Sequence, residues 1–139
     1  MPTAKVYYKG DLKTELIHEL SGEGMTTDAP PDNRGKGRSF SPTDLLASSW
    51  LSCMLTIMAM RAEDEGLDLK GTKGYVEKNM QNTPRKIKKL KGVFFMPFQL
   101  SQQMEEKLRN AAKGCPVSQS LSETLDIEVI FQYEEASSQ

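Results

Sequence analysis

The longest apolar stretch of the chain lies within residues 41–66. Between residues 45 and 60 nearly every side chain is apolar or small, so the apolar surface runs around the helix cylinder and forms no single stripe. Ser41 can cap such a helix, Pro42 suits its first position, and Gly66 suits a left-handed ending. The pattern therefore predicts a central helix over residues 42–66 that is buried on most sides.

The length of this helix also raises a membrane-spanning interpretation. Its unbroken apolar part is only about 16 residues and includes several hydroxyl side chains, whereas a spanning helix needs about 20 apolar residues. We therefore expect a core helix and no membrane association.

Short runs of alternating or β-branched residues on both sides of the helix predict strands. The predicted strands cover residues 5–8, 12–20, 25–29, 75–80, 87–96 and 124–132. The first pair should form a hairpin through Lys9-Gly10-Asp11, and the pair after the helix should form another through Asn82-Thr83-Pro84.

The remaining segments predict two helices, a loop and a tail. Ser101 caps an amphipathic helix that extends to Ala112, and Cys115-Pro116 begins a brief helix to Leu121. Residues 30–40 read as a long loop before the central helix, and residues 134–139 should fray. Together these elements predict one α+β domain over residues 1–139, with mostly antiparallel strands around the central helix.

Composition narrows the classes of function. A formal net charge of −1 over 139 residues argues against broad binding to nucleic acid. The one dense basic run is more typical of protection on an edge strand; its members are Arg85, Lys86, Lys88, Lys89 and Lys91. One histidine and two cysteines cannot supply four soft ligands, so no zinc site and no cofactor are expected. The N-terminus shows no signal-peptide pattern, which favours the cytoplasm and reduced thiols.

The two cysteines are the candidate chemical groups. Cys53 lies in the middle of the apolar helix, where burial raises a thiol pKa, and a small core residue is its most ordinary interpretation. Cys115 stands at a predicted helix start, whose free N–H groups favour a thiolate, so a cap and a reactive group both stay open. The separation of the two along the chain does not show whether they meet.

Two motifs carry a family resemblance. SPTDLLASSWLSCMLTIMAM, residues 41–60, resembles the central cysteine helix of the OsmC/Ohr family, the osmotically inducible and organic hydroperoxide resistance proteins. GCPVSQSL, residues 114–121, resembles the second cysteine segment of that family, and the order of predicted elements matches along most of the chain. The resemblance implies an OsmC-like fold and an intertwined homodimer with its site near the subunit interface.

The resemblance also implies a reaction. Cys53 matches the peroxidatic cysteine, which attacks an organic hydroperoxide, and Cys115 matches the cysteine that resolves the resulting sulfenic acid to a disulfide. A dithiol reductant, which is a lipoylated protein in some members, restores both thiols. Such a protein would serve oxidative stress defence as an antioxidant peroxidase.

This sequence departs from the family in the groups that activate the thiol. An unshifted thiol is only about 3% thiolate at pH 7, so a cation must lower its pKa. Efficient members use an N-terminal arginine oriented by a glutamate ten residues before the peroxidatic cysteine, where this chain has Thr43. Asp44 beside it is a candidate orienting carboxylate, but a helix cap is its simpler interpretation.

The best cationic replacements precede the central helix. Arg34 and Arg38 are the candidate thiolate-stabilising groups, with Lys36 behind them, although solvated loop charges are an equally good interpretation. His18 lies on the apolar side of its predicted strand, where a half-buried, hydrogen-bonded residue is more common than a base.

Two functions therefore stay open, besides a purely structural dimer whose two cysteines are core residues. The first is an organic hydroperoxide reductase that uses Cys53 and Cys115. The alternative is a protein of the same fold with little peroxidase activity, which binds an apolar small molecule or a partner at the dimer cleft.

Overall fold

The computed structural model describes residues 1–133. It divides into two compact units, Met1–Leu46 and Ala47–Gln139, and each contains one three-stranded sheet. The α+β class predicted from the sequence is confirmed. The tail that was predicted to fray, residues 134–139, lies outside the described residues, and the single-domain assignment stays a prediction.

The first unit is an antiparallel meander. Its strands are β1 (Ala4–Gly10), β2 (Lys13–His18) and β3 (Gly24–Asp28), paired in that order. The predicted first hairpin is confirmed, but the turn predicted at Lys9-Gly10-Asp11 was wrong, because β1 continues to Gly10. The turn residues are Asp11 and Leu12, at φ 57° and 61°, the left-handed geometry that two-residue hairpin turns favour.

The prediction that His18 is half-buried was wrong. The side chain lies at the end of β2, where it is exposed and its Nδ1 lies 2.7 Å from the Ser21 hydroxyl. His18 is the last residue of β2.

An ion pair between the exposed Arg38 and the buried Asp28 anchors the loop that follows β3. The loop makes a short 3-10 turn at Pro31–Asn33 and then returns to the sheet through Arg38. The Arg38 side chain donates from Nε to Asp28 Oδ2 over 2.6 Å and from its NH2 group to Oδ1 over 3.2 Å. The Arg38 guanidinium holds the pKa of the Asp28 carboxyl at about 2.

Helix α1 spans Pro42–Asp64 and begins where the sequence predicts. The Ser41 N–H donates to Asp44 Oδ2 over 3.0 Å, and the Asp44 N–H donates to Ser41 Oγ over 3.1 Å, a reciprocal capping box. Gly66, at φ 81°, follows the last turn as predicted. Asp44 is therefore engaged as a helix cap.

The prediction that α1 is buried on most sides was wrong for one chain. Its buried residues form a single stripe, namely Ala47, Trp50, Leu51, Met54, Met58 and Ala62. Met60 is 56% exposed, and Cys53 and Ile57 are only partly covered. Helix α1 is long and apolar enough to span a membrane. Core helices of soluble proteins meet the same criterion of length and hydropathy. One chain supplies cover for only one side of this helix.

The second unit combines antiparallel and parallel pairing. Strands β4 (Lys73–Asn82) and β5 (Arg85–Phe95) form the predicted hairpin, and β6 (Asp126–Gln132) pairs parallel to β5. Helices α2 (Gln102–Lys113) and α3 (Pro116–Gln119) make the crossover that a parallel pair requires.

The interpretation of the basic run as edge protection was wrong for Lys89 and Lys91, since β6 pairs with β5 from Lys89 onward. The run lies on β5, which is the central strand of its sheet. Lys89 there forms a 3.1 Å ion pair with Glu128 of β6, so the parallel strand that covers this edge also supplies an acidic partner.

The buried stripe of α1 packs directly on β5 at Gly92. A Cβ atom at this position would lie 2.6 Å from Leu51 Cδ1 and 3.2 Å from Trp50 Cη2. The absence of a side chain lets the helix approach the strand closely. This contact sets the rotation of α1 and leaves Cys53 on the flank of the stripe.

Candidate active site

The two cysteines meet in the second unit. Cys53 is half-buried on α1, and Cys115 is fully buried at the residue that caps α3. Both are free thiols, and Cys115 lies close enough to Cys53 to help raise the pKa of the Cys53 thiol. The tertiary structure thus brings together the two sequence-predicted cysteines, which no short motif links.

The first turn of α3 donates to both sulfurs. The Ser118 N–H donates to Cys115 Sγ over 3.3 Å, and the Cys115 thiol donates to Ser118 Oγ over 3.1 Å. The backbone N–H of Val117 lies close enough to the Cys53 sulfur to lower the pKa of that thiol. Pro116 follows the cap at the first helical position, so the local sequence favours this turn before any tertiary contact forms.

Burial raises the pKa of the Cys53 thiol above its ordinary value. The hydrogen bond and charge of Cys115 add to the increase, and the Val117 N–H opposes it. The first turn of α3 therefore supplies a donor to each sulfur but leaves Cys53 mainly protonated at neutral pH. A reactive Cys53 needs a cation in addition to these contacts.

The cations predicted from the sequence lie in the first unit. They differ in whether an acidic residue already pairs with them. Arg38 is paired with Asp28 and, over 3.2 Å, with Asp11. Lys36 also pairs with Asp11, over 3.6 Å. Arg34 is exposed, forms no ion pair within residues 1–133, and has a left-handed backbone at φ 71°. Among the described residues, therefore, the charge of Arg34 is not offset by an ion pair, whereas the charge of Arg38 is.

Sequence reasoning missed Val117 and Ser118 as functional groups. A signal for Ser118 was present, because it stands three residues after a helix-capping cysteine, the spacing at which a backbone N–H returns to a cap. No local signal pointed to Val117, since its bond to Cys53 depends on how α1 and α3 pack. Within residues 1–133, no cluster of three or more His, Cys, Asp or Glu residues is placed to hold a metal ion.

The sequence and the fold were compared with known proteins. A family model described as OsmC-like protein matches residues 35–130. A crystal structure of a proposed osmotic stress induced and detoxification response protein from Psychrobacter arcticus is 42% identical, with a TM-score of 0.92, and the match covers 95% of this chain and 96% of that one. No curated protein matches the sequence.

More distant structures share the fold. An organic hydroperoxide resistance protein OsmC from Legionella pneumophila is 20% identical with a TM-score of 0.70, covering 93% of this chain and 94% of that one. The organic hydroperoxide resistance protein OhrB of Bacillus subtilis is 19% identical with a TM-score of 0.68, covering 94% and 98%. The extent of the family match, together with the 42% identical structure, shows that this chain belongs to the OsmC-like protein family.

Proposed function

We propose that this protein is a thiol-dependent peroxidase that reduces organic hydroperoxides. The observation that carries the proposal is the proximity of Cys115 to Cys53, which is close enough to raise the pKa of the Cys53 thiol. Two neighbouring thiols, one half-buried and one fully buried, suit a peroxidatic and a resolving role in that order. Structural relatives named as organic hydroperoxide resistance proteins support the same reaction class.

The reaction proceeds in two steps on the protein. The Cys53 thiolate attacks one oxygen of the peroxide, the O–O bond breaks, and the leaving alkoxide takes up a proton to become an alcohol. The Cys115 thiolate then attacks the Cys53 sulfenic acid, releases water and forms a disulfide. An external dithiol, for which a lipoylated protein is one candidate, restores both thiols by exchange and is itself oxidised to a disulfide.

Arg34 is the proposed activating cation. Its charge carries no ion pair within residues 1–133, whereas two aspartates already hold Arg38. Left-handed backbone is uncommon for residues other than glycine, and such conformations concentrate at functional positions. Arg38 then acts by fixing the loop that presents Arg34.

The active form is proposed to be a homodimer that works in the cytoplasm during oxidative stress. The partly exposed face of α1, which includes Ile57 and Met60, offers an apolar surface for a second chain. The apolar residues around Cys53 favour hydroperoxides with an apolar body over hydrogen peroxide. Second-order rate constants for cumene hydroperoxide should therefore exceed those for hydrogen peroxide, and equal values would contradict this preference.

The decisive experiment is a single turnover with one equivalent of cumene hydroperoxide. Reduced wild-type protein should lose both thiols and form the disulfide between Cys53 and Cys115, detected by mass spectrometry. Cys53→Ser should abolish the fast loss, and Cys115→Ser should stop at the sulfenic acid, which a dimedone probe traps. Thiol loss no faster than that of a free cysteine would overturn the proposal.

A second candidate function rests on the raised pKa of Cys53. A thiol that stays protonated suits a protein that binds an apolar molecule or partner at a dimer cleft without reducing peroxide. Such a protein would show no disulfide at stoichiometric oxidant, so the same single turnover separates the two functions.

A further inference from the structure

A cavity of about 440 Å³ lies in the second unit, among α1, α2, α3 and β6. Its volume is within the range of small-molecule sites. Its apolar lining comes from Met54, Ala112, Ile127 and Val129. The remaining lining residues are polar or charged, namely Arg109, Lys113 and Ser118. The combination of a mainly apolar wall with a few convergent polar groups is typical of a binding site.

The charged part of the wall is positive and held in place. Arg109 donates to the Val129 carbonyl over 2.7 Å and to Glu105 Oε2 over 3.1 Å, and its guanidinium lies 4.6 Å from the centre of the Phe131 ring. A guanidinium carries more N–H donors than these two bonds use. The side chain is therefore fixed while it keeps donors for a ligand.

Lys113 adds a second cation at the cavity. It forms no ion pair within residues 1–133, so Glu105 is the only carboxylate that offsets the two positive charges. The second oxygen of Glu105 accepts a hydrogen bond from the Tyr133 hydroxyl, which keeps this carboxylate turned to its partners. Arg109, Lys113 and Glu105 together carry one net positive charge, which favours a bound anion.

Ser118 provides a neutral donor at the same wall. Its Oγ accepts the hydrogen of the Cys115 thiol, so the hydrogen of the hydroxyl stays available. A carboxylate suits these groups, because an arginine fork binds its two oxygens together. The apolar wall suits an alkyl chain attached to that carboxylate.

We propose that this cavity binds a carboxylate with an alkyl tail, such as a medium-chain fatty acid. Arg109 and Lys113 hold the carboxylate, Ser118 donates to it, and the chain lies against Met54 and Val129. The cavity shares Ser118 with the cysteine site, but binding a carboxylate there requires no thiol chemistry, so the proposal goes beyond the proposed peroxidase function and is tested without peroxide.

Isothermal titration calorimetry of the reduced full-length protein tests the site, with decanoate as the probe. Decanol keeps the chain without the charge, and decyltrimethylammonium reverses the charge. Decanoate should bind saturably and about tenfold more tightly than decanol, since a charge-assisted bond contributes on that scale, and the cationic probe should not bind. No saturable decanoate binding, or equal affinity for decanoate and decanol, would overturn the proposal.

Three variants locate the binding. Arg109→Gln should weaken decanoate about tenfold and Lys113→Gln about threefold, as expected for a fixed and an exposed charge. Ile127→Trp fills the cavity from a position that is 41% exposed and should abolish binding without unfolding the protein. Unchanged decanoate affinity in Ile127→Trp would place the ligand elsewhere and overturn the proposal.

The matched control is Lys107→Gln. It removes one positive charge from the same helix, but Lys107 pairs with Glu65 over 3.2 Å and does not line the cavity. Its affinity for decanoate should equal that of the wild type. If Lys107→Gln and Lys113→Gln weaken binding equally, the attraction is a general charge effect and the assigned site is wrong. If Arg109→Gln fails to fold, Lys113→Gln and Ile127→Trp decide the test, because both change exposed side chains.

Discussion

Cys115 and Ser118 exchange two hydrogen bonds, one from the Ser118 N–H to Sγ over 3.3 Å and one from the thiol to Ser118 Oγ over 3.1 Å. When Cys115 loses its proton, the hydroxyl of Ser118 can turn and donate to the thiolate. Ser118 is therefore placed to stabilise the ionised form of the resolving cysteine.

Replacing Ser118 with alanine should slow resolution without slowing the first step. The variant keeps the backbone N–H but loses the hydroxyl, so disulfide formation should fall about fivefold, as expected for one hydrogen bond. Stopped-flow thiol titration with one equivalent of cumene hydroperoxide should show normal oxidation of Cys53 and accumulation of its sulfenic acid.

The control for this prediction is Ser120→Ala at the C-terminal cap of the same short helix. Ser120 Oγ donates to the Pro116 carbonyl and does not contact Cys115 in the structure. Equal slowing of resolution in the two variants would indicate a general disturbance of α3 and contradict a specific role of Ser118.

If Arg34 is the activating cation, as proposed above, removing its charge should raise the pKa of Cys53 relative to the wild type. One nearby cation typically lowers a thiol pKa by about one unit, so Arg34→Gln should reduce the thiolate fraction at pH 7 about tenfold. The pH dependence of iodoacetamide alkylation, measured in a Cys115→Ser background, reports this pKa directly.

Arg38→Gln is the matched comparison, because two aspartates already neutralise its charge. It should lower the midpoint of urea unfolding, and it should shift the alkylation profile less than Arg34→Gln does, because the charge of Arg34 itself is kept. A large shift in Arg38→Gln with none in Arg34→Gln would reverse the proposed roles of the two arginines.

The pair of Asp28 and Arg38 should make stability depend on acid pH. Asp28 has its pKa lowered from 3.8 to about 2, so its stabilisation is fully present above pH 3.8 and is lost as the pH falls through about 2. Asp28→Asn should therefore have a lower free energy of unfolding than the wild type at neutral pH. This gap in unfolding free energy should close between about pH 4 and pH 2.

Urea unfolding from pH 7 to pH 2 measures that gap, and Glu23→Gln serves as an exposed-carboxylate control. The difference in the free energy of unfolding between the wild type and Glu23→Gln should stay nearly constant from pH 7 to pH 2. A gap between Asp28→Asn and the wild type that persists at pH 2 would contradict the role of the ionised carboxylate.

The approach of α1 to β5 at Gly92 should not tolerate a methyl group. The added Cβ would lie 2.6 Å from Leu51 Cδ1, so Gly92→Ala should lower the free energy of unfolding by about 1–3 kcal/mol through overpacking. Gly114→Ala makes the same change where the nearest atom lies 3.6 Å away, and chemical denaturation should show a much smaller loss. If both variants lost the same free energy of unfolding, the loss in Gly92→Ala would not come from overpacking.

The sequence by itself determined the elements whose signals are local. The capping box of Ser41 and Asp44, the cap of α2 by Ser101 and the cap of α3 by Cys115 all formed as predicted. Each depends on groups about three residues apart, which meet as soon as the turn forms. The two hairpins were predictable for the same reason.

Only the tertiary structure decided the relations between distant elements. It placed the basic run on a central strand, left part of α1 uncovered within one chain, and bound Arg38 to Asp28. It also brought Cys53 against Cys115 and gave its sulfur the Val117 N–H. These contacts depend on which faces pack together after the chain folds, and no local pattern specifies that choice.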